Sequence, residues 1–218
     1  MDELSLFPLN TVLYPGTPIQ LHVFEERYKR MISDCIENHK SFGVVLIRHG
    51  KESFGHLAEP YTIGCSAKII HQTKLDTGRL NIIALGQERF RILNLNKEMA
   101  PYLIAGVESF PIKNRSSNKL FPLRRSLSFW LNRYIGKYNE LGGNQIEFET
   151  LPKDPIKLAF IASAIVQIST QQKQQILSIE QADELLLSVI DIYRREAALI
   201  DAFSSEAQVE KIGSFSMN

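Results

Sequence analysis

Ser66-Ala67-Lys68 sets a serine and a lysine two positions apart, which places both on one face of a strand. A serine whose proton a neighbouring base can take is a potential nucleophile. On a half-exposed strand, however, the pair reads as two ordinary solvent-facing residues. Cys35 and His39 stand four apart on an expected helix, a spacing that can hold two metal ligands. A stable site needs more ligands, and the sequence offers only the scattered His22, His49, His56 and His71. The pair therefore reads as a buried thiol and a helix-end histidine, with no metal and no cofactor expected. Glu25 and Arg27 form an acid–cation pair expected to fix a strand-to-helix junction, by capping and by a partly buried ion pair. There is no G-x-x-x-x-G-K-[ST] loop to cradle nucleotide phosphates and no G-x-S-x-G elbow. No catalytic residue is assigned, and the chain reads as non-enzymatic.

One stretch points to a different chemistry. Lys113, Arg115, Lys119, Arg124, Arg125, Arg133 and Lys137 occur with no acidic residue before Glu140, interleaved with Phe129, Trp130, Tyr134 and Tyr138. Cations beside aromatic platforms are what single-stranded nucleic acid binding uses. Against this, Trp130 and Tyr134 fall on an apolar helical stripe and are expected in the core. The last helix carries Glu180, Asp183, Glu184, Asp191, Glu196 and Asp201, so two helices of opposite charge packed together account for both biases. RNA binding through Lys113–Lys137 is the alternative reading.

The 218 residues are 44% hydrophobic and 22% charged with a net charge of +1, so no global field favours nucleic acid or anionic membrane. Two cysteines are too few for a disulfide framework and fit a reducing compartment. The longest apolar run, 158–168, falls short of the about 20 residues a membrane span needs. A cytoplasmic protein is expected.

The elements that position these residues follow from periodicity. Leu4–Leu9 and Ile19–Val23 read as strands joined by the Tyr14-Pro15-Gly16 turn. Tyr28, Met31, Ile32, Cys35 and Ile36 then recur at three- and four-residue spacing, the stripe of a helix packed on one face. Phe42–Ile47 is an apolar run expected to be covered on both faces. Arg48–Glu59 is expected to be a mobile loop. Strands follow from Tyr61 with period two, over Leu80–Leu85, Arg89–Leu95 and Tyr102–Val107, with a hairpin turn at Asp76-Thr77-Gly78. About seven strands and one helix within residues 1–112 imply a small, strongly bent sheet.

After a linker at 113–118, Leu123, Leu127, Trp130, Leu131 and Tyr134 mark one helical face. Asp154-Pro155 is a helix start, with Asp as N-cap and Pro at the first helical position. Leu158–Ile168 is apolar all round and is expected at the centre of a bundle spanning 119–203. Ser178 with Gln181 fits a capping box. Ala182, Leu186, Val189, Tyr193, Ala197, Ile200 and Phe203 then form one buried stripe, and 204–218 is expected to be a disordered tail.

The densest string is Leu6-Phe7-Pro8-Leu9, then Val12-Leu13-Tyr14-Pro15-Gly16, then Leu21-His22-Val23-Phe24-Glu25, closed by Arg27-Tyr28. It resembles the opening of the N-terminal substrate-binding domain of Lon proteases, and GVVLI, PYTIGCSAKI, GRLNIIALGQERFRI and PYLIAGVE resemble later blocks of that family in the same order. The resemblance covers about residues 4–203. It implies an α+β fold: an N-terminal PUA-like β pseudo-barrel with one early helix, followed by a C-terminal α-helical bundle. It also implies a stand-alone binding module, without the Lon ATPase or protease, that holds unfolded or exposed apolar polypeptide segments or docks a partner protein. Phe7, Pro8, Leu9, Pro15, Gly16, Phe24, Glu25, Arg27 and Tyr28 are the motif positions. Tyr14 and Pro15 in the first loop, and Phe54 in the Gly-rich loop, are the apolar residues expected to be exposed for peptide binding.

Overall fold

The structure, a computed structural model, describes residues 2–50, 58–75, 78–113, 117–140, 145, 147 and 150–215, without the side chains of 117–119 and 203–215. Its contacts divide the chain into two compact units. The first comprises Met1–Lys113 together with Ser163–Glu180, and the second Asn114–Ala162 with Gln181–Asn218.

Among the described residues, the first unit holds seven strands and two helices: β1 (Asp2–Leu9), β2 (Pro18–Val23), α1 (Glu26–Glu37), β3 (Phe42–His49), β4 (Glu59–Pro60), β5 (Ile63–Lys74), β6 (Leu80–Asn96), β7 (Ile104–Ser109) and α4 (Thr170–Leu177). The second holds α2 (Ser117–Glu140), most of α3 (Pro155–Ile165) and α5 (Ala182–Phe215).

Pairing runs β1–β7–β6–β5–β3, and β3 returns to β1 in parallel register at Leu6↔Gly43 through Leu9↔Leu46. Five strands thus close on themselves, which removes most free edges. β1 serves both neighbours because its first half pairs with β7 and its second half with β3. Alternation along β1 divides its side chains between two apolar clusters. Phe7 and Leu9 join Leu13, Tyr28, Met31, Ile32, Phe42 and Ile82, while Leu6 joins Val45, Phe90, Leu103 and Val107.

Two strands expected at Leu80–Leu85 and Arg89–Leu95 form one continuous β6, which changes partner at Gly86. Before it β6 pairs with β2, and from Phe90 on with β7. Glycine is required there by close approach: a Cβ on Gly86 would stand 2.2 Å from the Tyr14 carbonyl oxygen. The Tyr14–Thr17 turn is moored at that point, with Gly16 N donating to Gly86 O at 2.8 Å and Gly86 N to Thr17 O at 2.9 Å. Gly16 itself has φ +78, which glycine adopts at little steric cost.

The helical regions differ from the sequence expectation in three places. Ser163–Glu180 belongs to the first unit, whereas 119–203 reads in the sequence as one bundle. The capping box lies at Ser169 and Gln172, heading α4, and Ser178 is instead the C-cap of that helix. An eight-residue helix with four glutamines carries too weak an apolar stripe for periodicity to find. Finally, α5 runs to Phe215, through most of the segment expected to be disordered. Asp154 does start α3, its carboxylate accepting from Lys157 N at 2.7 Å. Of the linker, 114–116 lie outside the described residues, as do 51–57 of the polar loop and Asp76-Thr77 of the hairpin turn. No described helix is long and apolar enough to cross a membrane.

Candidate functional site

Eight of the residues quoted for the N-terminal string line one pocket of about 290 Å³: Phe7 and Leu9 of β1, Leu21 to Glu25 at the end of β2, and Tyr28 of α1, with Gln20 beside them. The short link from β2 to α1 brings these segments together. Phe7 and Tyr28 stack at 4.2 Å with an interplanar angle of 12°, forming an apolar floor. Phe24, at the strand's end, is 39% exposed, a large aromatic ring left partly in water at the rim. Glu25 closes one side: Arg27 Nε and Nη2 reach its Oε2 at 3.0 and 2.9 Å, and the guanidinium lies 4.6 Å from the Tyr28 ring centre. The ion pair fixes the junction as the sequence implies. The capping does not occur, since Glu25 is the N-cap residue but its side chain makes no cap hydrogen bond.

Among the described residues β2 pairs with β6 alone, in register from Pro18↔Leu85 to Val23↔Leu80. Among the described residues, its second edge makes no backbone hydrogen bond. An apolar floor beside an unpaired strand edge can take an apolar side chain from an extended chain while that chain's amides pair with the strand.

The residues expected from the sequence to make peptide contact, Tyr14, Pro15 and Phe54, are not among the described residues that line this pocket. Tyr14 is fully buried, with 0% exposure, and its hydroxyl donates to the Lys173 carbonyl at 2.8 Å. Burial raises the phenol above its ordinary range. The sequence places Tyr14 in an exposed loop because its covering partner lies 159 residues away. Pro15 is half-buried beside it, and Phe54 lies outside the described residues. Pro8 is buried in β1.

Arg89 is a residue that sequence reasoning missed. Alternation assigns it to the face opposite Phe90, which is correct, but that face is covered. It is 4% exposed, with Nη1 donating to Leu177 O and Ile179 O at 2.6 Å each and the guanidinium 4.6 Å from the Phe110 ring centre. Desolvation pulls its pKa down to about 10. A buried arginine beside helix-end carbonyls is a tether for the 163–180 segment.

The remaining candidates are structural in their surroundings. Ser66 exchanges hydrogen bonds with the Glu88 backbone at 3.2 Å in both directions. Burial pushes the Cys35 thiol up to about 11 and Cys65 up to about 12. Among the described residues, no three His, Cys, Asp or Glu side chains gather as metal ligands. In the second unit, Arg133 and Lys137 both pair with Asp201, and Arg124 donates to Pro152 O at 3.0 Å. Tyr134 is buried against Tyr193, and Trp130, expected in the core, is half-buried within 6 Å of the Arg133 and Arg194 guanidiniums. The opposite charges of α2 and α5 thus meet each other.

Comparison with known proteins places this geometry. The model of the ATP-dependent protease La (LON) substrate-binding domain matches residues 3–195. A Lon protease 2 of Myxococcus xanthus is 27% identical over 199 residues, covering 90% of this chain and 24% of that protein. The Lon protease of Escherichia coli (strain K12) is 24% identical over 212 residues, covering 96% of this chain and 26% of its own. The chain thus spans about a quarter of the Lon proteases it matches. Among solved structures, a Lon N-terminal domain protein from Xanthomonas campestris superposes with a TM-score of 0.62 at 22% identity, covering 88% of this chain and 98% of that one. The N-terminal domain of a Mycobacterium avium complex Lon protease gives 0.63 at 14% identity, with the same coverage. These two establish the α+β fold. The family match, over nearly the whole chain and including every residue of the pocket, establishes more: the chain belongs to the Lon substrate-binding domain family.

Proposed function

We propose that this protein is a non-catalytic polypeptide-recognition module that holds unfolded or exposed apolar segments of client or partner proteins. The observation that carries the reading is the convergence of the family's opening string on one pocket, with Phe24 at its rim and the unpaired edge of β2 alongside. A client segment lies extended there, one apolar side chain against Phe7 and Tyr28. The closed five-strand ring reads as a PUA-like pseudo-barrel, and the helices of the second unit as the bundle that follows it.

The test is fluorescence anisotropy of labelled unfolded-protein peptides and, in parallel, labelled single-stranded RNA, at low and high salt. Peptide binding that is nearly insensitive to salt is the expected result, because apolar burial carries it. Salt-steep RNA binding without a peptide signal overturns the reading, since phosphate contacts release counterions.

A further inference from the structure

A second groove lies along the other open edge of the sheet. β3 pairs with β5 only from Phe42↔Ala67 to Val44↔Cys65. Among the described residues, no strand pairs with the side of β5 away from β6 beyond Ala67, and its backbone makes no further hydrogen bond there. Lys68 to Gln72 form one wall of a groove of about 600 Å³, and Cys35 and Ile36 from the last turn of α1, with His39 and Lys40 after it, supply the other. Ile36 and Ile69 give it an apolar floor. Ile70 is the extra residue of a β-bulge, since Ile69 pairs with Ala84 and His71 with Ile83, and it is 57% exposed.

The charge of the groove has one sign. Lys40 and Lys68 line it with His39 and His71, and among the described residues no carboxylate lines it and neither lysine has an ion-pair partner. Lysines and bulges also occur on edge strands simply to prevent pairing with other chains. Edge protection, however, has no use for a large aliphatic side chain set out in water at the bulge.

We propose that this groove binds an extended, acidic–apolar segment of a client polypeptide, which adds to the edge of β5 with its carboxylates against Lys40 and Lys68. The proposal rests on the polypeptide-recognition reading and adds to it a second, charge-selective site for one class of client. Main-chain pairing supplies affinity without regard to sequence, whereas the apolar floor and the lysines select alternating apolar and acidic side chains.

The probe is a labelled decapeptide of alternating valine and glutamate, compared by anisotropy with its lysine counterpart and with a version N-methylated at alternate amides. The full chain is measured against its Lys40→Glu/Lys68→Glu double variant, whose substituted positions are exposed, with thermal melting as a control of folding. The glutamate peptide is expected to bind about tenfold more tightly than the lysine peptide, the double variant to reverse that preference, and N-methylation to abolish binding. Equal affinity for both peptides, or an unchanged preference in the double variant, overturns the proposal. If peptides nonetheless bind and are lost on Phe24→Asp, the broader reading stands without it. Absence of binding by every peptide overturns both.

Discussion

Tyr14→Ala is expected to lower the unfolding free energy by about 3–5 kcal/mol, the range for truncating a buried aromatic side chain. The residue sits in the loop that sequence alone marks as an exposed binding element. It is instead fully buried, and its hydroxyl reaches across to the carbonyl of Lys173. Around it, Thr17 Oγ1 donates to Tyr14 O at 2.8 Å, and the turn is bonded to Gly86 from both sides. Truncation leaves a cavity and a loosened turn together. Tyr14→Phe isolates the hydroxyl and is expected to cost about 1–2 kcal/mol. Urea denaturation of the two variants measures both quantities. Unchanged stability in Tyr14→Ala, with weakened peptide binding, would instead return the residue to a binding surface.

Arg89→Ala should be the next most damaging change, at about 3 kcal/mol or more, since hydrogen bonds to charged groups contribute about 1.5–3 kcal/mol each. Two carbonyls at the end of α4 lose a shared buried donor, and Phe110 loses the guanidinium on its face. The loss should not be uniform. Amides of 170–179 are expected to exchange with solvent faster than those of β5 and β6, because the tether holds that segment to the strands. Hydrogen exchange followed by peptide-level mass spectrometry measures this. Even loss of protection across the whole first unit would mean that Arg89 supports the sheet rather than the helix.

The strands were legible because short-range chemistry specifies them. Alternation from Ile63 and the apolar run at Phe42–Ile47 correspond to β5 and β3, and the stripe Tyr28, Met31, Ile32, Cys35 is the buried face of α1. The densest motif also proved to line a pocket, although nothing in its spacing says that Phe24 stays partly exposed while Phe7 does not. What periodicity could not supply is partnership across long separations. Tyr14 and Arg89 each look solvent-facing in their own neighbourhoods, and both are covered by residues near 173–179. α4 escaped for the same reason: its buried Gln174 bonds to Ile63 O at 3.0 Å, a contact that no helical stripe announces. The charge pattern of α2 and α5 was readable because complementary signs on two amphipathic helices predict their own pairing, which Arg133, Lys137 and Asp201 make.

The most direct test of the central claim is the affinity of Phe24→Asp for an unfolded-protein peptide, set beside its melting curve. Phe24 lies at the pocket rim and is partly in water, so the substitution should change stability by no more than about 0.5 kcal/mol. A carboxylate at the mouth of an apolar pocket should weaken peptide binding by about tenfold or more. Weakened binding with an unchanged melting temperature is the result predicted. Unchanged affinity in a folded Phe24→Asp variant would show that the pocket made by the family's opening string is not where polypeptide is held.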